Sequence, residues 1–267
     1  MAGPGNRTKT LYRIDVADGW AVASRASADP CEACGGRGML PSRNDEGYRV
    51  YRPCECRSLQ LRIDRYNRAR IPGEFAHSTL DTFTPRNDDV GEAQRAAGQF
   101  LRGFSKGDRG LCFWGPVGTG KTHLAAALVR ALTLEHGVTC SFCDNLQLLQ
   151  DLKLTYERRE GTAELLEPLA TVDVLVIDDL GKGLGSKWEI TVLDDVVNRR
   201  YNAGATTIIT TNYPDKDTSA IADGFETLEH RVDRRIYSRL KAMCDFHHLQ
   251  GDDFRQTRRS RRARMRP

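Results

Sequence analysis

Between about Leu80 and Leu249, short apolar runs alternate with stretches whose apolar positions recur at helical spacing. "GLCFW", "VLVI" (174–177) and "TTIIT" (206–210) are short and free of charge, as a strand covered on both faces must be. The alternation predicts βα units around a central parallel sheet, an α/β fold spanning 80–256. Ahead of it, in "SLQLRIDRYNRARIPGEF", Leu59, Ile63 and Tyr66 fall on one helical face, Arg62, Arg65 and Arg68 on the other, and Pro72-Gly73 ends the run. This predicts a basic connecting helix and linker over 58–79. Residues 1–57, rich in cysteine, glycine, proline and charge, form a separate module, and 257–267 an arginine-rich tail.

The first chemistry lies between one predicted strand and the helix after it. "GPVGTGKT" places Gly115, Pro116, Val117, Gly118, Thr119, Gly120, Lys121 and Thr122 in the G-x-x-x-x-G-K-[ST] spacing. Glycines let backbone N–H groups converge on a β-phosphate, and the following helix, ending near Gly137, adds its dipole. Lys121 reaches the β/γ oxygens and the Thr122 hydroxyl suits Mg²⁺. The strand in "VDVLVIDDLG" delivers Asp178 and Asp179 to the sheet edge where ligands of open α/β sheets sit. Asp178 suits a Mg²⁺ ligand and Asp179 is placed to polarise an attacking water. Asn212, ending "TTIITTN", can hydrogen-bond a γ-phosphate or orient that water. A helix over about Arg231 to Met243 carries Arg234, Arg235 and Arg239, and Arg255 follows the strand-like "CDFHHLQ". Arginines of this kind stabilise charge on a transferring phosphoryl group, or form a solvated basic face.

The eight cysteines divide by context. Cys31, Cys34, Cys54 and Cys56 form two close pairs flanking a loop, which suits tetrahedral zinc in a segment too small to fold on an apolar core. No histidine precedes His77, so a zinc site there is all-thiolate. Disulfides are the alternative, disfavoured in a cytosolic setting. Cys140 and Cys143 share the C-x-x-C spacing but lie on a predicted strand, where residues three apart face opposite ways. They read as core, with Cys112 and Cys244.

Composition narrows the setting. With 28% charged residues, no apolar run near the ~20 needed for a membrane span and no signal-like start, the chain is expected in the cytoplasm without a membrane partner. The formal charge is +4, yet six arginines lie in the last ten residues, and without them it is −2. The tail is either a solvated end or an arm that neutralises nucleic-acid phosphates. No N-K-x-D motif marks a GTPase, no serine-glycine-glycine signature marks a transporter ATPase, and "DLGKGLGSKWEITVLDDVVNRRYNAGAT" reads as one loop and one helix, leaving no lid for a small-molecule kinase.

Taken together, "GPVGTGKTHLAAAL", "VLVIDDLG", "TTIITTNYP", "RRIYSRL" and "GDDFRQ", entered through "RARIPGEF", resemble the AAA+ ATPases of the DnaC and DnaI helicase-loader type over nearly the whole chain. The resemblance implies an AAA+ P-loop fold preceded by a cysteine-rich zinc module that engages a helicase. It implies that Asn212 is sensor 1, Arg239 the finger entering a neighbour's ATP with Arg235 beside it, and Arg255 sensor 2. It also implies an extra helix contacting single-stranded DNA, which maps to "CDNLQLLQDLKLTYERREG". There Leu149, Leu152 and Tyr156 form a stripe, Asp144 with Gln147 a capping box and Gly161 a stop. Lys153, Arg158 and Arg159 lie off the stripe, on a solvated face or against phosphates. The implied protein loads a replicative hexameric helicase onto single-stranded DNA as an ATP-dependent homo-oligomer, using ATP, Mg²⁺ and Zn²⁺ and releasing ADP. Two other readings share these motifs: an IstB-type transposition helper acting on duplex DNA, and a nucleotide-switched adaptor.

Overall fold

The structure, a computed structural model, describes residues 11–27, 29–157, 163–215 and 226–254. Its centre is a five-stranded, all-parallel sheet of β5 (Gly110–Trp114), β6 (Cys140–Asp144), β7 (Val174–Asp178), β8 (Thr206–Thr211) and β9 (Cys244–His248), in the order β6-β7-β8-β5-β9. β5, β7 and β8 are buried at every residue, which explains their unbroken apolar and threonine sequence.

Period-two alternation divides the strands between two cores. Leu111, Phe113, Val174, Val176 and Ile208 pack with α2 (Asp88–Gly103) and α3 (Lys121–Leu134). Cys112, Leu175, Ile177 and Ile209 face the other core, with α4 (Asn145–Glu157), α5 (Ala163–Thr171), α6 (Lys187–Ala203), α7 (Leu228–Val232) and α8 (Arg234–Met243). Cys140 belongs to the first core and Cys143 borders the second, so the two thiols do face apart. Burial pushes both up, Cys143 to about 12.

Three boundaries differ from the sequence expectation. The helix expected over 58–79 is α1 (Glu55–Ala69). Its Ile63, Tyr66 and Ala69 are buried in the first core, and Arg65 donates to the Gly137 carbonyl at the end of the α3 turn, so this segment is part of the body rather than a linker. The β1 (Tyr12–Ala17) and β2 (Trp20–Arg25) hairpin, placed by sequence in the cysteine module, also joins that core through Ala21 and Ala23. Asn67 of α1 clamps it, accepting from the Ala23 amide at 2.7 Å and donating to the Ala23 carbonyl at 3.1 Å. The helix expected over Arg231 to Met243 is two helices, because Asp233 (φ 77°) breaks the turn and caps α8 through the Arg235 amide.

What remains separate is an arm. β3 (Met39–Arg43) and β4 (Arg49–Pro53) pair antiparallel, and the four N-terminal cysteines lie at its base.

Candidate functional site

The carboxyl ends of β5, β6, β7 and β8 converge on one cavity of about 1150 Å³. Each strand supplies its next residues to it: the phosphate loop after β5, Asp144 from β6, Asp178 and Asp179 from β7, and Asn212 after β8. Gly118 and Gly120 take φ of 79° and 100°, and a side chain on Gly120 would strike the Phe83 ring at 2.5 Å. Lys121 is 5% exposed and donates to the carbonyls of Gly115 (2.8 Å) and Pro116 (2.6 Å), beside the space its ammonium serves. Thr119 is buried and locks the loop by donating to the Pro116 carbonyl at 3.0 Å.

The acidic floor is tightly connected. Asp178 is 8% exposed and accepts from the hydroxyls of Thr210 and Thr122. Burial, opposed by those hydroxyls and reinforced by Asp179 and Asp144, raises its pKa to about 6. Asp179 is held in the left-handed region (φ 54°) with its amide donating to Thr210 Oγ1 at 2.9 Å. Its carboxylate accepts from Asn212 Nδ2 at 2.9 Å and from Lys182 at 3.0 Å. Asn212 and Asp179 therefore act as one unit beside the loop. The oxygen donors Thr122 and Asp178, already joined by a hydrogen bond, fit Mg²⁺, which would offset triphosphate charge there.

Sequence reasoning missed the opposite wall. Phe75, His77, Ser78, Thr82, Phe83, Arg86, His123 and Phe254 line it. His123 packs on Phe83 at 5.3 Å between ring centroids and hydrogen-bonds the Thr79 carbonyl at 3.0 Å, and burial lowers its pKa. The pocket thus begins near Glu74, before the expected start at 80.

The α8 arginines do not enter this cavity. Arg239 pairs with Asp194 of α6 at 2.7 Å, Arg235 lies 3.8 Å from the same carboxylate, and both border a separate surface hollow with Tyr201. On α4, Asp144 caps the helix by accepting from the Gln147 amide at 2.9 Å, Leu149 and Leu152 are buried, and Lys153 is exposed. Arg158, Arg159, Gly161, Arg255 and the tail over 257–267 lie outside the described residues, as does the side chain of Tyr156.

The family model described as "IstB-like ATP binding protein" matches residues 77–262. The chain belongs to that family. The replicative helicase loader DnaC of Escherichia coli K12 is 28% identical over 180 residues, covering 66% of this chain and 73% of the loader. DnaC of Buchnera aphidicola (strain APS) is 26% identical over 190 residues, covering 67% and 77%. Among solved structures, a DnaC helicase loader superposes with a TM-score of 0.59 at 30% identity, covering 66% of this chain and 99% of that one. The structure of DnaI superposes at 0.56 with 24% identity, covering 68% and 93%. The chain is an AAA+ ATPase of the DnaC type. The family match begins at His77 and leaves out the cysteine arm, so it is narrower than the near-complete resemblance read from the sequence. Among the described residues, no helix is long and apolar enough to cross a membrane.

The cysteine cluster stands on its own geometry. Sγ atoms of Cys31 and Cys54 are 3.7 Å apart, those of Cys34 and Cys56 3.4 Å, and all four lie within 4.8 Å of one another. A tetrahedral ion with Zn–S bonds near 2.3 Å requires sulfurs about 3.8 Å apart. The Gly38 amide donates to Cys34 Sγ at 3.2 Å. Burial opposes ionisation of Cys34, but that amide and the neighbouring thiols outweigh it and bring its pKa to about 6. Cys56, through its hydrogen bond with Cys34 and its burial, is pushed up to about 12. The cluster fits zinc.

Proposed function

We propose that this ATPase loads a replicative hexameric helicase onto single-stranded DNA, hydrolysing ATP to ADP at a seam between copies of the chain. The observation that carries the reading is the division of the site. One protomer brings the loop, Lys121, Thr122, Asp178, Asp179 and Asn212 to a single pocket, while Arg239 sits on another face. A neighbour's Arg239, with Arg235 beside it, completes the charge stabilisation that phosphoryl transfer requires. Arg255 acts from the same chain as sensor 2. Asp178 and Thr122 hold Mg²⁺, and the four cysteines hold Zn²⁺, which staples the base of the arm. Lys153, with Arg158 and Arg159, contacts DNA phosphates without reading sequence, as loading anywhere requires. The protein works in the cytoplasm.

The test mixes two inactive variants. Arg239→Ala and Asp178→Asn chains each lack turnover alone, and mixing them restores part of it, because some seams pair an intact pocket with an intact finger. No recovery at any ratio sinks the shared site. Capture of a hexameric helicase by the full chain, lost with chelator, tests the partner. The transposition-helper reading is favoured by the description of the matching family model. Tighter ATP-dependent binding to duplex than to single-stranded DNA would select it.

A further inference from the structure

The arm carries exposed charge and aromatic surface that, among the described residues, forms no ion pair within its own fold. Every residue of β4 is exposed, with Tyr51 at 71% and Tyr48, at the turn, at 69%. The register sets Arg43 opposite Arg49, Pro41 opposite Tyr51 and Met39 opposite Pro53, so these six share one face. Two like charges directly opposite on a strand pair destabilise it. Neither Arg43, Arg49 nor Arg52 makes an ion pair among the described residues, although Asp45 and Glu46 stand in the turn between the strands. Arg43 instead donates to the Gly47 carbonyl at 2.7 Å, which holds its stem in place. At the base of the same face Arg57 donates to Met39 Sδ at 3.3 Å. The face therefore runs from an arginine pair, past a tyrosine beside proline, to a third arginine.

Facing arginines lower their mutual repulsion by sharing an anion, and an exposed tyrosine flanked by cations offers a ring on which a base stacks. Both features together match a strand with phosphates and unpaired bases. We propose that the β3–β4 arm is a single-stranded nucleic-acid contact, with Arg43 and Arg49 neutralising phosphate and Tyr51 stacking a base. This deepens the loader reading and rests on its DNA-binding half. It gives the cysteine cluster a second consequence, since the two feet of the arm, tied by the Cys54 amide to the Gly38 carbonyl at 2.9 Å, must be fixed for the face to keep its register.

The full chain with ATP and Mg²⁺ is titrated with a fluorescent oligo-dT across salt concentrations. Arg43→Ala/Arg49→Ala is expected to weaken binding about tenfold and to reduce the log–log salt slope by about 0.7, for the one phosphate that the pair shares. Tyr51→Ala is expected to weaken it by a similar factor, about tenfold, and to leave the slope unchanged. Arg43→Lys/Arg49→Lys keeps the slope, and zinc content and melting temperature show that each variant is folded. Variants with unchanged affinity and slope overturn this inference while the loader reading stands. Loss of helicase capture with oligo-dT binding intact assigns the arm to a protein partner and overturns it too. Wild-type chain that binds no oligo-dT overturns both.

Discussion

At the phosphate-loop pocket, three central strands without an exposed residue support most of the lining from behind, and the loop glycines leave its backbone little choice. In the arm, every residue of β4 faces water and the feet meet only where four sulfurs crowd together. The body can bury apolar surface on two faces of a sheet, so its polar groups are positioned by packing. A two-stranded hairpin alone is marginal in water, so a metal held by the four cysteines would supply the order that packing does not. One chain thus has two stabilities, and treatments that touch one should leave the other standing.

Removing metal should separate them most. Structural zinc contributes roughly 10–16 kcal/mol in small modules at neutral pH. With a strong chelator, amides over 38–53 should exchange with solvent as an unfolded segment does, while those of α3 and β7 stay protected and ATP still binds. Hydrogen exchange read by mass spectrometry checks this. Protection of the arm after complete metal removal would mean that packing holds it after all.

The converse perturbation enters the body through Arg200. This side chain is fully buried on α6, donating to Thr207 Oγ1 at 3.0 Å and to the carbonyls of Leu169 (2.8 Å), Val172 (2.9 Å) and Thr206. Burial lowers its pKa to about 10. Arg200→Ala leaves those carbonyls unpaired around a cavity and should cost about 3–5 kcal/mol, lowering the melting temperature by roughly 10 °C. Zinc content should not change. Zinc lost in step with the body would show that arm and body unfold together.

Asp178 tests what function costs the body. Its pKa is about 6 in the folded chain against an ordinary 3.8, so the folded state holds this proton more tightly than the unfolded chain does. The stability so contributed is complete below about pH 4 and is lost as pH rises through about 6. Above that the buried carboxylate costs up to about 3 kcal/mol. Asp178→Asn should therefore raise the melting temperature at pH 7.5 and match wild type near pH 4, while Mg²⁺-dependent turnover falls at least a hundredfold. Nucleotide binding that depends on Mg²⁺ should weaken in the wild type below about pH 6, because Mg²⁺ then competes with a proton. A difference in melting temperature independent of pH would mean that charge burial is not its cause.

How much could be read beforehand follows the same division. That the phosphate loop, Asp178, Asp179 and Asn212 would line one cavity was legible because phosphate chemistry dictates residue types at fixed spacing and the strand ends place them. The cysteine cluster was legible for a like reason, four ligands at metal spacing. The wall of Phe83, Arg86, His123 and Phe254 was not, since those residues lie on loops and a helix start that meet only in the folded chain. Arg65 looked like linker charge because its partner, the Gly137 carbonyl, is 72 residues away. The break at Asp233 was hidden by apolar periodicity that continues across it, whereas the backbone there takes a positive φ.

The smallest expected change in stability sits on the face proposed to meet a neighbour. Asp194 holds Arg239 at 2.7 Å and lies near Arg235, with side-chain exposures of 27% for the acid and 17% for Arg239. A pair this near the surface contributes under about 1 kcal/mol, so Asp194→Asn should shift the melting temperature by a few degrees at most. Its effect on assembly should be easier to see. If Arg239 serves a phosphate on another protomer, as proposed, it must leave Asp194, and releasing about 1 kcal/mol of restraint should lower the protein concentration for half-maximal ATP turnover about fivefold. The concentration dependence of turnover measures this directly. A higher half-maximal concentration in Asp194→Asn would mean that the acid aims the finger rather than restrains it, and Arg239 would then be set for its neighbour before the neighbour arrives.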